Sequence, residues 1–107
     1  MLTFPLKKEW YEKIESGEKT IEYREVKPYW KTRLFRAMLP FSVRTYWKNG
    51  IYTQEPVRPC PCILRLGYTE RQLKAWIIKV ETVDGKNTDL HIDKLVYAIY
   101  LANVRKM

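Results

Sequence analysis

Cysteine, histidine and glycine are all scarce in this sequence, and each scarcity excludes something. The two cysteines, Cys60 and Cys62, lie in "RPCPC" with a single residue between them, too close to bridge without a strained small ring. Together with the one histidine, His91, they make a poor metal set, because a closed zinc site takes four ligands. No metal and no cofactor is expected, and no neighbouring feature marks a lowered thiol pKa for redox work. His91 itself reads as a surface or cap residue. No Ser/His/Asp arrangement, P-loop or dinucleotide fingerprint occurs. Long apolar runs are also missing, and "MLTFPLKKEW" lacks the apolar region of a signal peptide, so a cytoplasmic protein with no membrane partner is expected.

Acidic residues are in deficit. Twenty Lys and Arg stand against twelve Asp and Glu, giving a formal charge of +8, and the sequence pI is about 9.6. So large an excess on a small surface favours a polyanionic partner such as RNA or a nucleotide. Two plainer readings stay open: charge that serves solubility, and a module that binds an acidic protein.

Apolar residues are plentiful at 46%, with 14% aromatic, enough for one core, and no linker divides the chain. One domain over residues 1–107 is expected. "PLKKEWYEKIESG" has Pro5 at a plausible first helical position, with Leu6, Trp10, Tyr11 and Ile14 on one helix face. Gly17 then reads as the left-handed cap that ends the helix. "VKPYWKTRLF" predicts a short second helix. "FSVRTYW" alternates as a strand, "KNG" turns, and Ile51 to Pro61 reads as an irregular loop because of its three prolines. "CILRLGY" and "LKAWIIKVETV" predict a hairpin ending at the "DGKN" turn. "LVYAIYLANVRK" is read as a final strand from its Val, Ile and Tyr content, with helix as the competitor because both faces are apolar. The sum is a mixed α/β (α+β) chain: a small, mostly antiparallel β-barrel with one N-terminal helix and a short second helix.

"GEKTIEYR", residues 17 to 24, concentrates charge on a strand. Alternation sends Thr20, Glu22 and Arg24 one way, and Ile21 and Tyr23 toward the core. Glu22 and Arg24 are then about 7 Å apart along one face, and Lys19, at the corner after Gly17, can join them. One reading is an exposed ion pair of little energetic value. The other is a ligand site in which Lys19 and Arg24 hold a phosphate or base edge, Glu22 accepts from an amino or imino group, and Glu22 and Lys19 serve as acid and base if the site is catalytic.

The stretch "IESGEKTIEYR" resembles the ASCH superfamily, whose G-x-K-x-x-x-x-R signature is matched by Gly17, Lys19 and Arg24. "FPLKKEWYEKIESGEKTIEYREVKPYW" looks like the family's first helix and strand, and "LVYAIYLANV" like its closing strand. The resemblance implies a PUA-like barrel whose signature residues line a cleft for RNA or a modified nucleoside. One branch of the superfamily removes the acetyl group from N4-acetylcytidine with a lysine matching Lys19, a threonine two residues before the arginine, and a later glutamate. Here Glu22 holds the threonine position, Thr20 is the nearest aliphatic hydroxyl, and Glu70, Glu81, Asp84, Asp89 and Asp93 are the candidate later acids.

Among the aromatics, Trp10, Tyr23 and Trp76 read as core. Tyr29 and Trp30 fall in "REVKPYWKTRLFR", interleaved with Arg24, Lys27, Lys31, Arg33 and Arg36. They are candidate base-stacking platforms, with two packed rings on a solvated basic face as the alternative.

Overall fold

The computed structural model describes all residues, 1–107. In chain order the elements are β1 (Leu2–Leu6), α1 (Lys8–Glu15), β2 (Ile21–Glu25), α2 (Pro28–Met38), β3 (Val43–Lys48), β4 (Ile51–Pro56), β5 (Cys60–Leu66), β6 (Gln72–Asp84) and β7 (Leu95–Lys106), with single 3-10 turns at Leu39–Phe41 and Gly85–Asn87. No helix is long and apolar enough to cross a membrane.

The predicted hairpin and final strand form the frame. β6 pairs antiparallel with β7 from Leu73↔Lys106 to Asp84↔Leu95. Its other edge is shared, with β5 along Gln72 to Ile77 and β4 along Val80 to Thr82. One strand facing two neighbours in succession has to bend. Register shifts at Lys74/Trp76 and Ile77/Lys79 provide the bend, because a bulge adds local twist. The result is a strongly curled, half-barrel sheet of seven strands.

The sheet is mixed, and not mostly antiparallel as expected, because β1 runs parallel to β5. The start of the chain is therefore an edge strand, and Pro5 lies inside it, not at the head of α1. Edge position makes the missing N–H of Pro5 tolerable. The expected loop from Ile51 to Pro61 is also corrected, since it contains β4 and the start of β5. Pro56 ends β4, and Pro61 precedes the β1 pairing, which begins at Cys62. The second helix is longer than expected, covering three turns.

Helix α1 buries Tyr11 and Ile14, and α2 buries Leu34 and Met38. These fill the concave side of the sheet with Phe4, Leu64, Leu73, Ile77 and Ile99, each side chain contributing roughly 1.5–3 kcal/mol by leaving water. Gly17, at φ 85°, closes α1 in the left-handed region as expected. Asn49 and Gly50 do the same between β3 and β4, at φ 53° and 77°.

Candidate functional site

β2 pairs only with β7, placing Glu22 opposite Ile99 and Arg24 opposite Tyr97. Directly opposed residues share a face, and Ile99 and Tyr97 are buried. Glu22 and Arg24 therefore point into the fold, while Ile21 and Tyr23 lie half-exposed on the other face. This reverses the expected orientation of the strand. The fold's concave side continues here into a cleft of about 360 Å³, bounded by the β1–α1 corner, Trp10, β2, Trp30 and Asp89.

Glu22 is only 5% exposed, so the surface ion pair considered from the sequence does not apply. Its Oε2 accepts from Arg24 Nη2 at 2.6 Å and from Arg24 Nε at 3.1 Å. Its Oε1 has Lys19 Nζ as nearest cation, 4.0 Å away. Burial raises the carboxyl pKa above the ordinary range, opposed by the charge and hydrogen bond of Arg24 and by the charge of Lys19. A buried carboxylate beside two cations is a strong hydrogen-bond acceptor with an open side.

Arg24 is fixed on several sides. Nη2 also donates to the Pro5 carbonyl at 2.7 Å, and the guanidinium centre lies 4.8 Å from the Trp30 ring and 5.4 Å from that of Phe4. Trp30 in turn stacks on Phe4 at 5.4 Å. Lys19 is aimed by the turn after Gly17, where its N–H donates to the Lys13 carbonyl at 3.0 Å. Its ammonium meets Asp89 directly and lies 5.2 Å from the Trp10 ring and 4.8 Å from that of Tyr23. Asp89 comes from the far end of the chain, on the loop after β6. That loop is pinned at Gly85, whose N–H donates to the Lys94 carbonyl at 2.7 Å and whose carbonyl accepts from Thr88 Oγ1 at 2.9 Å.

No protein-family model, curated protein or solved structure matches this chain. The geometry alone carries the assignment of roles.

Lys19, Glu22, Arg24 and Trp30, named from the sequence, meet in one cleft. Tyr29 does not. It stands on the other side of the Trp30 ring, 53% exposed, in a separate depression. Trp10 and Tyr23, read as core, are cleft walls. Trp10 carried a signal, since it neighbours Tyr11, and two adjacent bulky rings cannot share the centre of one helix stripe. Of the candidate acids, Asp89 reaches the cleft, whereas Glu81 bonds the Tyr100 hydroxyl at 2.6 Å outside it. Glu70, Asp84 and Asp93 do not line it either, and His91 is exposed. No serine, threonine or cysteine lines the cleft; Thr20 lines an adjoining depression that shares Trp10, Lys19, Tyr23 and Asp89 with it. The thiols of Cys60 and Cys62 are buried in β5.

Proposed function

We propose that the cleft binds the base of a nucleotide or of RNA, and that the chain is an ASCH-type domain with a PUA-like barrel. The observation that carries the reading is the buried Glu22 carboxylate, with one oxygen held by Arg24 and the other beside Lys19. Such a group accepts hydrogen bonds from the amino or imino edge of a base, while Lys19 and the free edge of Arg24 meet carbonyl or phosphate oxygens. Trp10 and Trp30 supply aromatic walls for the ring. A volume of about 360 Å³ is at the small end of ligand sites, which run about 300–1,000 Å³, and suits one base with its sugar. The signature residues Lys19 and Arg24 coincide with the cleft, which supports the resemblance.

Glu22→Gln replaces one accepting oxygen by a donor while preserving shape. Titration calorimetry against the four nucleosides and their 5′-monophosphates is expected to show binding to wild type and at least a tenfold loss in Glu22→Gln and in Lys19→Met. Equal affinities in folded variants would refute the reading.

The raised pKa of Glu22 beside Lys19 also favours a second reading, hydrolysis of an acylated nucleoside such as N4-acetylcytidine. A carboxyl whose pKa is raised by burial keeps its proton to higher pH than a free glutamate, which suits general acid and base work, and with no serine, threonine or cysteine lining the cleft the attacking group is water. Acetate release from N4-acetylcytidine by wild type and not by Glu22→Gln would establish this reading; no release by pure wild-type protein leaves binding alone.

A further inference from the structure

Across the Tyr29–Trp30 ring pair, whose centroids are 4.9 Å apart, a second depression of about 660 Å³ begins. Tyr29, Arg33, Arg36 and Ala37 line one wall, and spacings of three and four put them on one stripe of α2. At about 1.5 Å per residue this stripe runs about 12 Å from Tyr29 to Ala37. Leu2, Thr3, Pro40 and Pro61 also line it, and Arg58, outside the lining, donates to the Pro40 carbonyl at 2.7 Å.

The charges of the two depressions differ in kind. In the cleft Lys19, Arg24 and Lys27 each have a carboxylate partner, and of its lining cations Lys7 alone has none. No acidic residue lines the second depression, α2 contains none, and Arg33, Arg36 and Arg58 appear in none of the chain's ion pairs within 4.0 Å. The aromatic is prepared as well. Tyr29 is 53% exposed, and the Arg33 guanidinium centre sits 3.5 Å above its ring. A base stacks on either an aromatic ring or a guanidinium plane.

We propose that the ligand is a single-stranded nucleic acid that occupies both depressions. One splayed base enters the cleft, and the adjoining nucleotides follow the α2 stripe, with phosphates on Arg33 and Arg36 and a base on the Tyr29–Arg33 platform. The proposal rests on the reading of the cleft as a base site and extends it from a nucleotide to a strand. A duplex is disfavoured because its stacked bases cannot enter the cleft. Guanidiniums without carboxylate partners beside an exposed ring are the pairing that single-strand channels use, charge for the backbone and a π-face for the bases.

The test compares wild type, Arg33→Ala/Arg36→Ala and Lys19→Met for binding nucleoside 5′-monophosphates and a short single-stranded RNA of mixed sequence across a salt series. Both arginines are exposed, so the double variant keeps the fold, as its thermal melt checks. The expected result is tighter binding of RNA than of monophosphate by wild type. The double variant then keeps its monophosphate affinity, loses at least tenfold for RNA, and has a log–log salt slope shallower by about 1.4, the value for two lost phosphate contacts on a single strand. Unchanged RNA affinity and slope in the double variant would overturn the proposal and leave the cleft reading standing. RNA loss in the double variant with no effect of Lys19→Met on either ligand would sink the cleft reading instead, and with it the two-depression strand. Competition by polyglutamate as effective as by RNA would also overturn the proposal, in favour of an acidic protein partner.

Discussion

Glu22 is held by opposing forces: burial drives its carboxyl toward the protonated form, and Arg24 and Lys19 draw it back. Burial dominates, so its pKa is higher in the folded chain than in the unfolded one, and the sign of the linkage follows. Below the ordinary glutamate range both states carry the proton, and Glu22 costs the fold nothing through ionisation. As pH rises through that range and on through the raised native value, the unfolded chain ionises first and stability falls. Glu25 and Glu55 act oppositely. Their pKa values are lowered, by hydrogen bonds from Lys94 and from Tyr46 respectively, so their stability is lost as pH falls. Subtracting two proteins removes that background. The melting temperature of Glu22→Gln minus that of wild type is expected to increase as pH rises from about 4 and to level off above the native pKa of Glu22. A difference independent of pH would show that Glu22 ionises in the folded chain as freely as in water. Changing Arg24 is a poorer probe, since it strands a buried charge, a loss typically of about 3–5 kcal/mol.

At the scale of elements, the site depends on parts that sequence periodicity reports unequally. The hairpin of β5 and β6, the closing strand β7, helix α1 and its Gly17 cap were legible because each satisfies one local rule. β4 was not, because prolines at 56, 59 and 61 outweigh a half-buried pattern until the ladder shows which N–H groups are needed. The direction of β2 was not legible either. Apolar Ile21 and Tyr23 claim the core by local pattern, and the placement of Glu22 opposite Ile99 overrules them. The polar cluster itself was readable as Lys19, Glu22 and Arg24, but its Asp89 partner, 70 positions along the chain from Lys19, has no local signal. Gly85 connects that partner to the frame. A Cβ there would lie 2.7 Å from the carbonyl oxygens of both Ile92 and Lys94, which are backbone atoms and cannot step aside alone. Gly85→Ala is expected to cost about 1–3 kcal/mol, read as a drop in melting temperature of about 4 °C or more, and, on the proposed reading of the cleft, to weaken nucleotide binding by displacing Asp89 from Lys19. Gly50→Ala is the comparison: its left-handed φ of 77° is strained for alanine, but nothing lies within 4 Å, so stability falls by about 1–2 kcal/mol with binding unchanged. Gly85→Ala binding as tightly as wild type would remove the loop from the site.

At the scale of the molecule, the two cysteines report whether the frame opens in parts or all together. Cys60 and Cys62 are on β5, which lies between β1 and β6, and alternation turns both toward the core. Burial raises their thiols to about 11 and about 12, and Cys60 Sγ donates to the Ala37 carbonyl of α2 at 3.2 Å. A thiol reacts through its thiolate, so near neutral pH neither is reactive while the fold is closed. Uncovering Cys62 means lifting β1 and the helices from the sheet, which dismantles the same core that seats Glu22 and Arg24. Iodoacetamide labelling at pH 8 is therefore expected to proceed at a rate set by the population of the globally unfolded chain, equally at both thiols, and to accelerate in urea in step with loss of circular dichroism. Labelling of Cys60 or Cys62 well ahead of unfolding would mean that β1 opens on its own. The cleft, which shares its Pro5 carbonyl with that strand, would then be gated by the first residues of the chain.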